Sequence, residues 1–325
     1  MMDPVPERVV SGRTRSISVV VPVYNSAQVL PLLVERLEPV LRDLADQFEL
    51  VCVNDGSRDG SWQVLLELER LNPWVRGVDL MRNSGQHNAL LCGIRAARHE
   101  VIVTMDDDLQ NPPEEIPVLL AALTDAVDVV YGAPQQEVHG PWRNLSSQVT
   151  KIVLQGVLGA DTARMVGPFR AFRAPIRRAF RNYHGASVNI DVLLTWGTTR
   201  FAAVRVKHDI RRIGQSHYTF RKLLTHTLNM LTGFSTLPLQ IASLLGFTFT
   251  LLGGVLLALV IARYLLHGVA VPGFAFLASI IIIFSGTQLF TLGVIGEYLA
   301  RMHFRLLSRP PYVVRESAVE DVYDA

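Results

Sequence analysis

Three adjacent aspartates, Asp106 to Asp108, follow a short apolar run, and Gln110 comes just after them. Adjacent carboxylates repel one another unless a cation compensates their charge. In an extended segment alternate side chains share a face, so we predict that Asp106 and Asp108 point the same way as Gln110, with the middle aspartate opposite. Two carboxylates and an amide oxygen, completed by a diphosphate and water, suit Mg²⁺ or Mn²⁺. The alternative is a capped, solvated turn before a helix that begins at Pro113.

Three more polar clusters each follow an apolar run nearer the N-terminus. They are Pro22-Val23-Tyr24-Asn25, Asn54-Asp55-Gly56-Ser57 and the segment from Arg82 to His87 around Gly85. Each cluster alone is a common turn or helix-cap pattern. Four of them at four successive strand ends indicate a ligand site, because ligands of parallel α/β sheets bind beyond the carboxyl ends of the strands.

The elements that must position these clusters alternate between strand and helix. Short β-branched runs predict strands at 17–21, 48–54, 75–80, 101–105 and 127–131, and apolar residues at helical spacing predict helices at 28–44, 60–71, 86–97 and 113–123. Continuous apolar strands between helices are typical of a sheet that is covered on both faces. We therefore predict an α/β domain with a mostly parallel sheet.

The composition limits what the chain can bind. Its formal net charge of +2 excludes the strong overall basicity of a nucleic-acid-binding protein. Arginine and lysine nevertheless crowd between Arg164 and Lys222, which favours a surface near anionic lipid or a phosphorylated ligand over a merely solvated face. The two cysteines, Cys52 and Cys92, lie in apolar stretches and are expected to be buried thiols.

Two long uncharged runs, from Leu237 to Ala262 and from Gly268 to Gly296, account for most of the apolar excess. Both exceed the roughly 20 residues that a helix needs to cross a bilayer, which favours spans over buried core helices. The short connection makes them a hairpin, and the basic residues on both flanks place the rest of the chain in the cytosol. We predict a multi-pass protein of the cell inner membrane, and glycines at 253, 254 and 286 would permit a homo-oligomer.

The sequence resembles glycosyltransferase family 2 and, within it, the branch that glycosylates polyprenyl phosphates, including undecaprenyl phosphate. The resemblance runs from about residue 16 to 315. It rests on the four clusters and on Asp106 to Glu115, Phe169-Arg170-Ala171-Phe172-Arg173, Gly214-Gln215-Ser216-His217-Tyr218, Gly296-Glu297-Tyr298 and Arg309-Pro310-Pro311-Tyr312. It implies inverting transfer of a sugar from a nucleotide-sugar, expected to be a UDP-sugar, to a polyprenyl phosphate for cell-envelope glycan modification.

The resemblance also implies a domain organisation. It comprises a flexible N-terminus (1–15), a cytosolic GT-A type glycosyltransferase domain (16–217), an amphipathic juxtamembrane helix (218–235), a transmembrane pair within 236–298 (about 237–262 and 270–296) and a cytosolic tail (299–325). Residues 218–235 fit equally well a helix that packs on the soluble domain.

Site residues follow from the same resemblance. The nucleotide would be held by Pro22, Tyr24, Asn25, Asp55, Gly85 and Asp106. The metal, Mg²⁺ or Mn²⁺, would be bound by Asp106, Asp108 and Gln110. The lipid phosphate would be bound by Arg143, Arg170, Arg211 and Ser216, and catalysis is assigned to Asp106, Asp108, Arg143 and Arg211. Arginine suits these roles because its guanidinium fork matches phosphate oxygens.

Two positions depart from the family pattern. Arg164 stands where an acidic residue is usual, with Asp191 as a possible replacement, and His217 stands where a lysine is common. The donor sugar is therefore left open.

Three rival functions share some of these features. A processive polysaccharide synthase would carry a Gln-x-x-Arg-Trp motif, which this sequence lacks. A non-catalytic nucleotide-sugar-binding protein would not need the aspartates. A transporter subunit would carry ionisable groups inside its spans.

Overall fold

The computed structural model describes residues 14–134, 166–185, 188–209, 237–267, 273–306 and 310–317. The chain divides into two compact units. One comprises Met1–Thr219 together with Arg309–Ala325, and the other comprises Phe220–Ser308. The predicted N-terminal segment, apart from its last residues, and the predicted juxtamembrane helix lie outside the described residues.

An eight-stranded sheet forms the centre of the first unit. Its strands are β1 (Thr14–Val23), β2 (Ala45–Asn54), β3 (Val75–Leu80), β4 (Val101–Thr104), β5 (Val129–Pro134), β6 (Arg170–Arg173), β7 (Phe201–Val206) and β8 (Val314–Ser317). The order across the sheet is β7-β5-β6-β4-β1-β2-β3-β8. Strands β4, β1, β2 and β3 run parallel, so their carboxyl ends meet at one edge. The five strands that the sequence predicts are confirmed.

The sheet is mixed, which corrects the prediction of a mostly parallel one. Strand β6 runs antiparallel to both β4 and β5, and β8 runs antiparallel to β3. Strands β6 and β8 cannot be recognised from the sequence because each is only four residues long and contains arginine. Strand β6, for example, begins with Arg170 and ends with Arg173. Such runs lack the β-branched pattern that identified the buried parallel strands.

Helices cover both faces of the sheet, as the sequence predicts. They are α1 (Leu30–Leu44), α2 (Ser61–Leu71), α3 (Gln86–Ala96), α4 (Ile116–Ala122, preceded by a 3-10 turn at Pro113–Glu115) and α5 (Ile190–Thr195), with a further 3-10 segment at Ala174–Phe180. Successive side chains of β1 point to opposite faces of the sheet. Val19 and Val21 lie in the core with α1, and Val20 lies in the core with α3.

The chain from residue 299 onward, predicted as a cytosolic tail, contains the end of the last helix and one strand of the sheet. The final helix continues to Leu306, and β8 joins the edge of the sheet. Tyr312 docks the segment before β8, since its hydroxyl accepts a hydrogen bond from Arg95 at 3.2 Å and its ring lies 5.8 Å from that guanidinium.

The second unit contains two helices, α6 (Leu237–His267) and α7 (Phe274–Leu306), at the positions of the two uncharged runs. The rings of Phe249 and Phe284 join them, with centroids 6.3 Å apart. Among the residues that the structure describes, no helix combines the length and the apolar character that crossing a membrane requires. Large apolar side chains on both helices are exposed, among them Phe247, Leu251 and Leu289.

Candidate functional site

The segment after β4 is a tight turn rather than an extended strand. Asp107 and Asp108 form the turn, and Leu109 has the left-handed backbone angle φ of 58°. A branched-chain residue in this region is strained, and such strain is common at functional sites. The prediction that side chains alternate along an extended segment is therefore wrong in its geometry, because the chain turns at the aspartates.

Each of the three aspartates has a different partner. Asp106 Oδ1 accepts a hydrogen bond from Gln86 Nε2 at 2.6 Å, at the start of α3. Asp108 Oδ1 accepts one from the backbone of Gln110 at 3.1 Å. The carboxylate of Asp107, the middle aspartate, is turned toward the loop after β1.

Asp107 joins the β4 turn to the β1–α1 loop. Its Oδ2 accepts hydrogen bonds from the backbone N–H of Tyr24 at 3.3 Å and from the Ser26 hydroxyl. Burial raises the pKa of Asp107, these hydrogen bonds oppose that rise, and the charge of Asp108 adds to it. The middle aspartate therefore fixes the loop that carries Tyr24.

The loops after β1 and β2 are tied together by hydrogen bonds from backbone N–H groups to side-chain oxygens. Asn25 donates its N–H to the Ser57 hydroxyl at 3.0 Å, and its side-chain oxygen accepts from the N–H of Arg58 at 2.8 Å. Gly56 has φ of 65°, and a Cβ there would lie 2.5 Å from the backbone nitrogen of Asn83. Only glycine permits this approach between the β2 and β3 loops.

Asp55 holds the loop that leads into α3. It is 3% exposed, and its two oxygens accept hydrogen bonds from the N–H groups of Ser84 (2.6 Å) and Gly85 (2.8 Å). Burial raises the pKa of Asp55, and the two hydrogen bonds act against that rise. Gly85 takes φ of 96°, which a residue with a side chain rarely adopts.

A cleft of about 380 Å³ opens beside these loops. This volume lies in the range of small-molecule sites. Tyr24, which is 46% exposed, forms part of one wall. The other lining residues come from the ends of β2 and β3, from the start of α2 and from β8: Asn54, Gly56, Ser57, Arg58, Asp59, Trp62, Gln63, Asp79, Leu80, Met81, Arg82, Asn83 and Arg315.

The far side of the β4 turn is fixed by two further contacts. Glu114 accepts two hydrogen bonds from the guanidinium of Arg36 on α1, at 3.0 and 2.7 Å. The carbonyl of Gln110 accepts from the N–H of Asp209 at 2.8 Å. The turn is therefore held from α1 and from the segment that follows β7, which in sequence leads directly to Arg211.

Arg170 occupies a different environment from the one its predicted role requires. It is 1% exposed, its Nε donates to the Thr104 hydroxyl at 2.9 Å, and its Nη1 pairs with Asp191. A charge that is buried and already paired gives no support to direct contact with a lipid phosphate. Asp191 is thus the partner of Arg170.

The remaining predicted nucleotide residue, Pro22, is buried within β1 beside Val53 of β2. Arg143, Arg211 and Ser216 lie outside the described residues, as do the two departures at 164 and 217. The structure therefore brings together the loops that carry Tyr24, Asn25, Asp55, Gly85 and the aspartate turn.

The aspartate turn is chemically suited to a hard divalent cation. Within the described part of the chain no group of three or more His, Cys, Asp or Glu side chains is arranged to hold a metal. The predicted set needs only Asp106, Asp108 and the Gln110 amide, because diphosphate oxygens and water complete such sites. All three side chains are partly exposed, so these oxygen donors fit Mg²⁺ or Mn²⁺.

Sequence reasoning missed several residues that position the site. Gln86 belongs to the polar cluster at 82–87, but its contact with Asp106 depends on how α3 begins. The ring nitrogen Nδ1 of His87 accepts the N–H of Ile190 at 3.3 Å, which ties α3 to α5. Arg315 was counted only among the basic residues that flank the second span, because it lies far from the other lining residues in sequence.

Residues 18–181 match the family described as glycosyl transferase family 2. The chain belongs to this family, and the fold and the clusters at the strand ends are those of a glycosyltransferase.

Curated relatives align with almost the whole chain. An undecaprenyl-phosphate 4-deoxy-4-formamido-L-arabinose transferase of Pseudomonas savastanoi pv. phaseolicola is 35% identical over 92% of this chain and 90% of its own. The transferase of the same name from Pectobacterium atrosepticum is 34% identical over 93% of this chain and 94% of its own.

Solved structures show the same fold at lower sequence similarity. Glucosyl-3-phosphoglycerate synthase from Mycobacterium tuberculosis, in complex with Mn²⁺, UDP-glucose and phosphoglyceric acid, superposes with a TM-score of 0.51 at 17% identity. The alignment covers 67% of this chain and 78% of that one. This similarity supports the GT-A-like α/β fold.

Proposed function

We propose that the chain transfers a sugar, with inversion, from a UDP-sugar to undecaprenyl phosphate or a closely related polyprenyl phosphate. The observation that carries the proposal is the nearly full-length similarity to transferases named for this acceptor, in a chain whose strand-end loops converge at one edge of the sheet. The similarity extends beyond the nucleotide-sugar domain to the two helices α6 and α7, which favours a shared acceptor.

The donor would lie across the ends of β1 to β4. Tyr24 offers a half-exposed aromatic face to the base, and Asp55 holds the Ser84–Gly85 loop beside it. Asp106 and Asp108, in the turn after β4, would lie at the diphosphate end of the donor. A bound Mg²⁺ or Mn²⁺, such as the Mn²⁺ in the mycobacterial synthase, would neutralise charge on the leaving diphosphate as a Lewis acid.

The acceptor needs no strong general base. A phosphate monoester is already largely anionic near pH 7, so its oxygen can attack the anomeric carbon directly. The new bond joins the phosphate oxygen to the anomeric carbon, and the bond from that carbon to the diphosphate oxygen breaks. The nucleoside diphosphate leaves with its electron pair, and attack from the opposite face inverts the configuration. What the protein supplies is positioning and charge pairing, with Arg143 and Arg211 as the proposed cations.

Glycolipid synthesis tests the proposal directly. Purified full-length protein should convert undecaprenyl phosphate to a glycosylated lipid when it is given a panel of UDP-sugars with Mn²⁺, as detected by mass spectrometry. Removing the divalent cation with EDTA should abolish the product, and adding Mn²⁺ back should restore it. Failure to form a glycolipid from any donor, together with failure to bind UDP, would exclude this function.

We further propose that α6 and α7 form a membrane hairpin, with the catalytic unit on the cytosolic side. The support is the uncharged sequence runs at 237–262 and 268–296, the exposed apolar side chains on both helices and the basic residues that flank them. This arrangement would bring the acceptor phosphate, at the membrane surface, to a cytosolic active site.

Cysteine labelling tests the topology. His267→Cys, which lies between the two uncharged runs, should react with a membrane-impermeant maleimide in intact spheroplasts, and the control Asp43→Cys on α1 should react only after permeabilisation. Background labelling should be low because Cys52 and Cys92 are fully buried, and burial raises the pKa of the Cys92 thiol to about 12. Equal labelling of both variants in intact spheroplasts would contradict the hairpin.

A further inference from the structure

The strand that follows α7 in sequence brings an arginine into the cleft. Arg315 lies on β8, which pairs with the edge strand β3, and its side chain forms part of the cleft wall together with Tyr24, Arg58 and Arg82. The side chain remains 58% exposed, so its head is accessible to a ligand. None of the sequence motifs assigned a role to this residue.

Local contacts orient the guanidinium without using all of its donors. Nη2 donates to the carbonyl of Met81 at 3.0 Å, and Nε lies 3.6 Å from Asp79 Oδ2. Asp79 is itself 4% exposed and accepts a hydrogen bond from Asn54 Nδ2 at 2.6 Å. A guanidinium has five N–H donors, so several remain to face the cleft once these two contacts are made.

The lining of the cleft indicates which part of a donor would lie against Arg315. The cleft is bounded by Tyr24 and by the loops after β2 and β3, and the aspartates at 106–108 are not among its lining residues. Those aspartates are the proposed diphosphate end of the site, so the cleft suits the nucleoside end. Asp79 also offsets the charge of Arg315, which favours a neutral oxygen, such as a base carbonyl or ribose hydroxyl, over a phosphate.

We propose that Arg315 is a donor-binding residue that hydrogen-bonds to the nucleoside of the nucleotide-sugar. The inference rests on the proposed function and adds to it a binding residue from the C-terminal end of the chain. The nucleotide cleft is therefore completed only after the chain has passed through α6 and α7 and returned to the edge of the sheet as β8.

Nucleotide affinity of the full-length protein tests this assignment. Isothermal titration of UDP, UMP and uridine should show affinity about tenfold lower for Arg315→Ala than for the unmodified protein, because the lost hydrogen bonds have a charged donor. The loss should be equal for UDP, UMP and uridine, which has no phosphate, because the proposed contact is to the nucleoside that all three share. In turnover, the KM for the UDP-sugar should rise about tenfold, with kcat and the KM for the lipid within twofold.

Two further variants separate binding from folding. Arg315→Lys keeps the positive charge but loses the planar set of guanidinium N–H donors. Its affinity for UDP should therefore lie between those of the alanine variant and the unmodified protein. Arg42→Ala, which removes an exposed arginine on α1 outside the cleft, should leave the affinity unchanged. If the alanine variant fails to fold, the lysine variant with an unchanged melting temperature decides the question.

Unchanged UDP affinity in a folded Arg315→Ala protein would overturn the assignment while leaving the proposed function intact. A loss for UDP or UMP, with uridine unaffected, would place Arg315 at the phosphates and overturn its nucleoside role. If the unmodified protein bound neither UDP nor UMP, this result would exclude both the proposed function and the role of Arg315.

Discussion

Asp108→Asn should lower the turnover number by about a hundredfold to a thousandfold while leaving the fold and the melting temperature nearly unchanged. The substitution keeps an oxygen that can accept the hydrogen bond from the backbone of Gln110, so the turn after β4 should persist. It removes the negative charge that the proposed metal site needs, and transition-state charge stabilisation of this kind contributes about 3 to 4 kcal/mol.

The measurement is the rate of glycolipid formation at saturating donor and acceptor, with circular dichroism to check the fold. Asp43→Asn, an exposed aspartate on α1, is the matched control and should retain full activity. Raising the Mn²⁺ concentration should restore little activity, because a neutral amide is a weaker ligand than a carboxylate. Near-normal turnover of Asp108→Asn would remove Asp108 from the metal site.

The parallel half of the fold could be predicted from the sequence because its strands are buried on both faces. Val19, Val20 and Val21 all lie in cores, on alternating sides of the sheet, so β1 reads as one continuous apolar run. The same patterning placed the polar clusters at strand ends and identified Asp55 and the aspartate turn as candidates. Local sequence and tertiary environment agree in these elements.

The antiparallel strands and the contacts of the site depend on tertiary pairing instead. Strand β6 exists because Ala171 and Phe172 fit between β4 and β5, although Arg170 and Arg173 obscure the pattern. The turn at Asp107 depends on Tyr24 and Ser26, which are 80 or more positions away. The contribution of Arg315 to the cleft depends on a pairing between β3 and β8 that no local propensity encodes.

Arg170→Met should destabilise the protein by about 3 to 5 kcal/mol, because it leaves the carboxylate of Asp191 buried without its partner. The environment disfavours uncompensated negative charge, since burial and the charge of Asp191 raise the pKa of the neighbouring Tyr131 well above its ordinary value. For a domain of this size the expected fall in melting temperature is about 10 °C. Thermal unfolding of the purified protein, followed by circular dichroism, measures it.

Arg173→Met is the matched control on the same strand. Its guanidinium is more exposed, with Asp125 at 3.5 Å and Asp128 at 3.8 Å, so the loss should be below about 1 kcal/mol. The double variant Arg170→Met/Asp191→Leu should recover much of the stability, because it removes both buried charges together. A direct role in binding the lipid phosphate predicts the opposite pattern for Arg170→Met: a raised KM for the acceptor with an unchanged melting temperature. The two readouts therefore distinguish a structural ion pair from a substrate contact at the same residue.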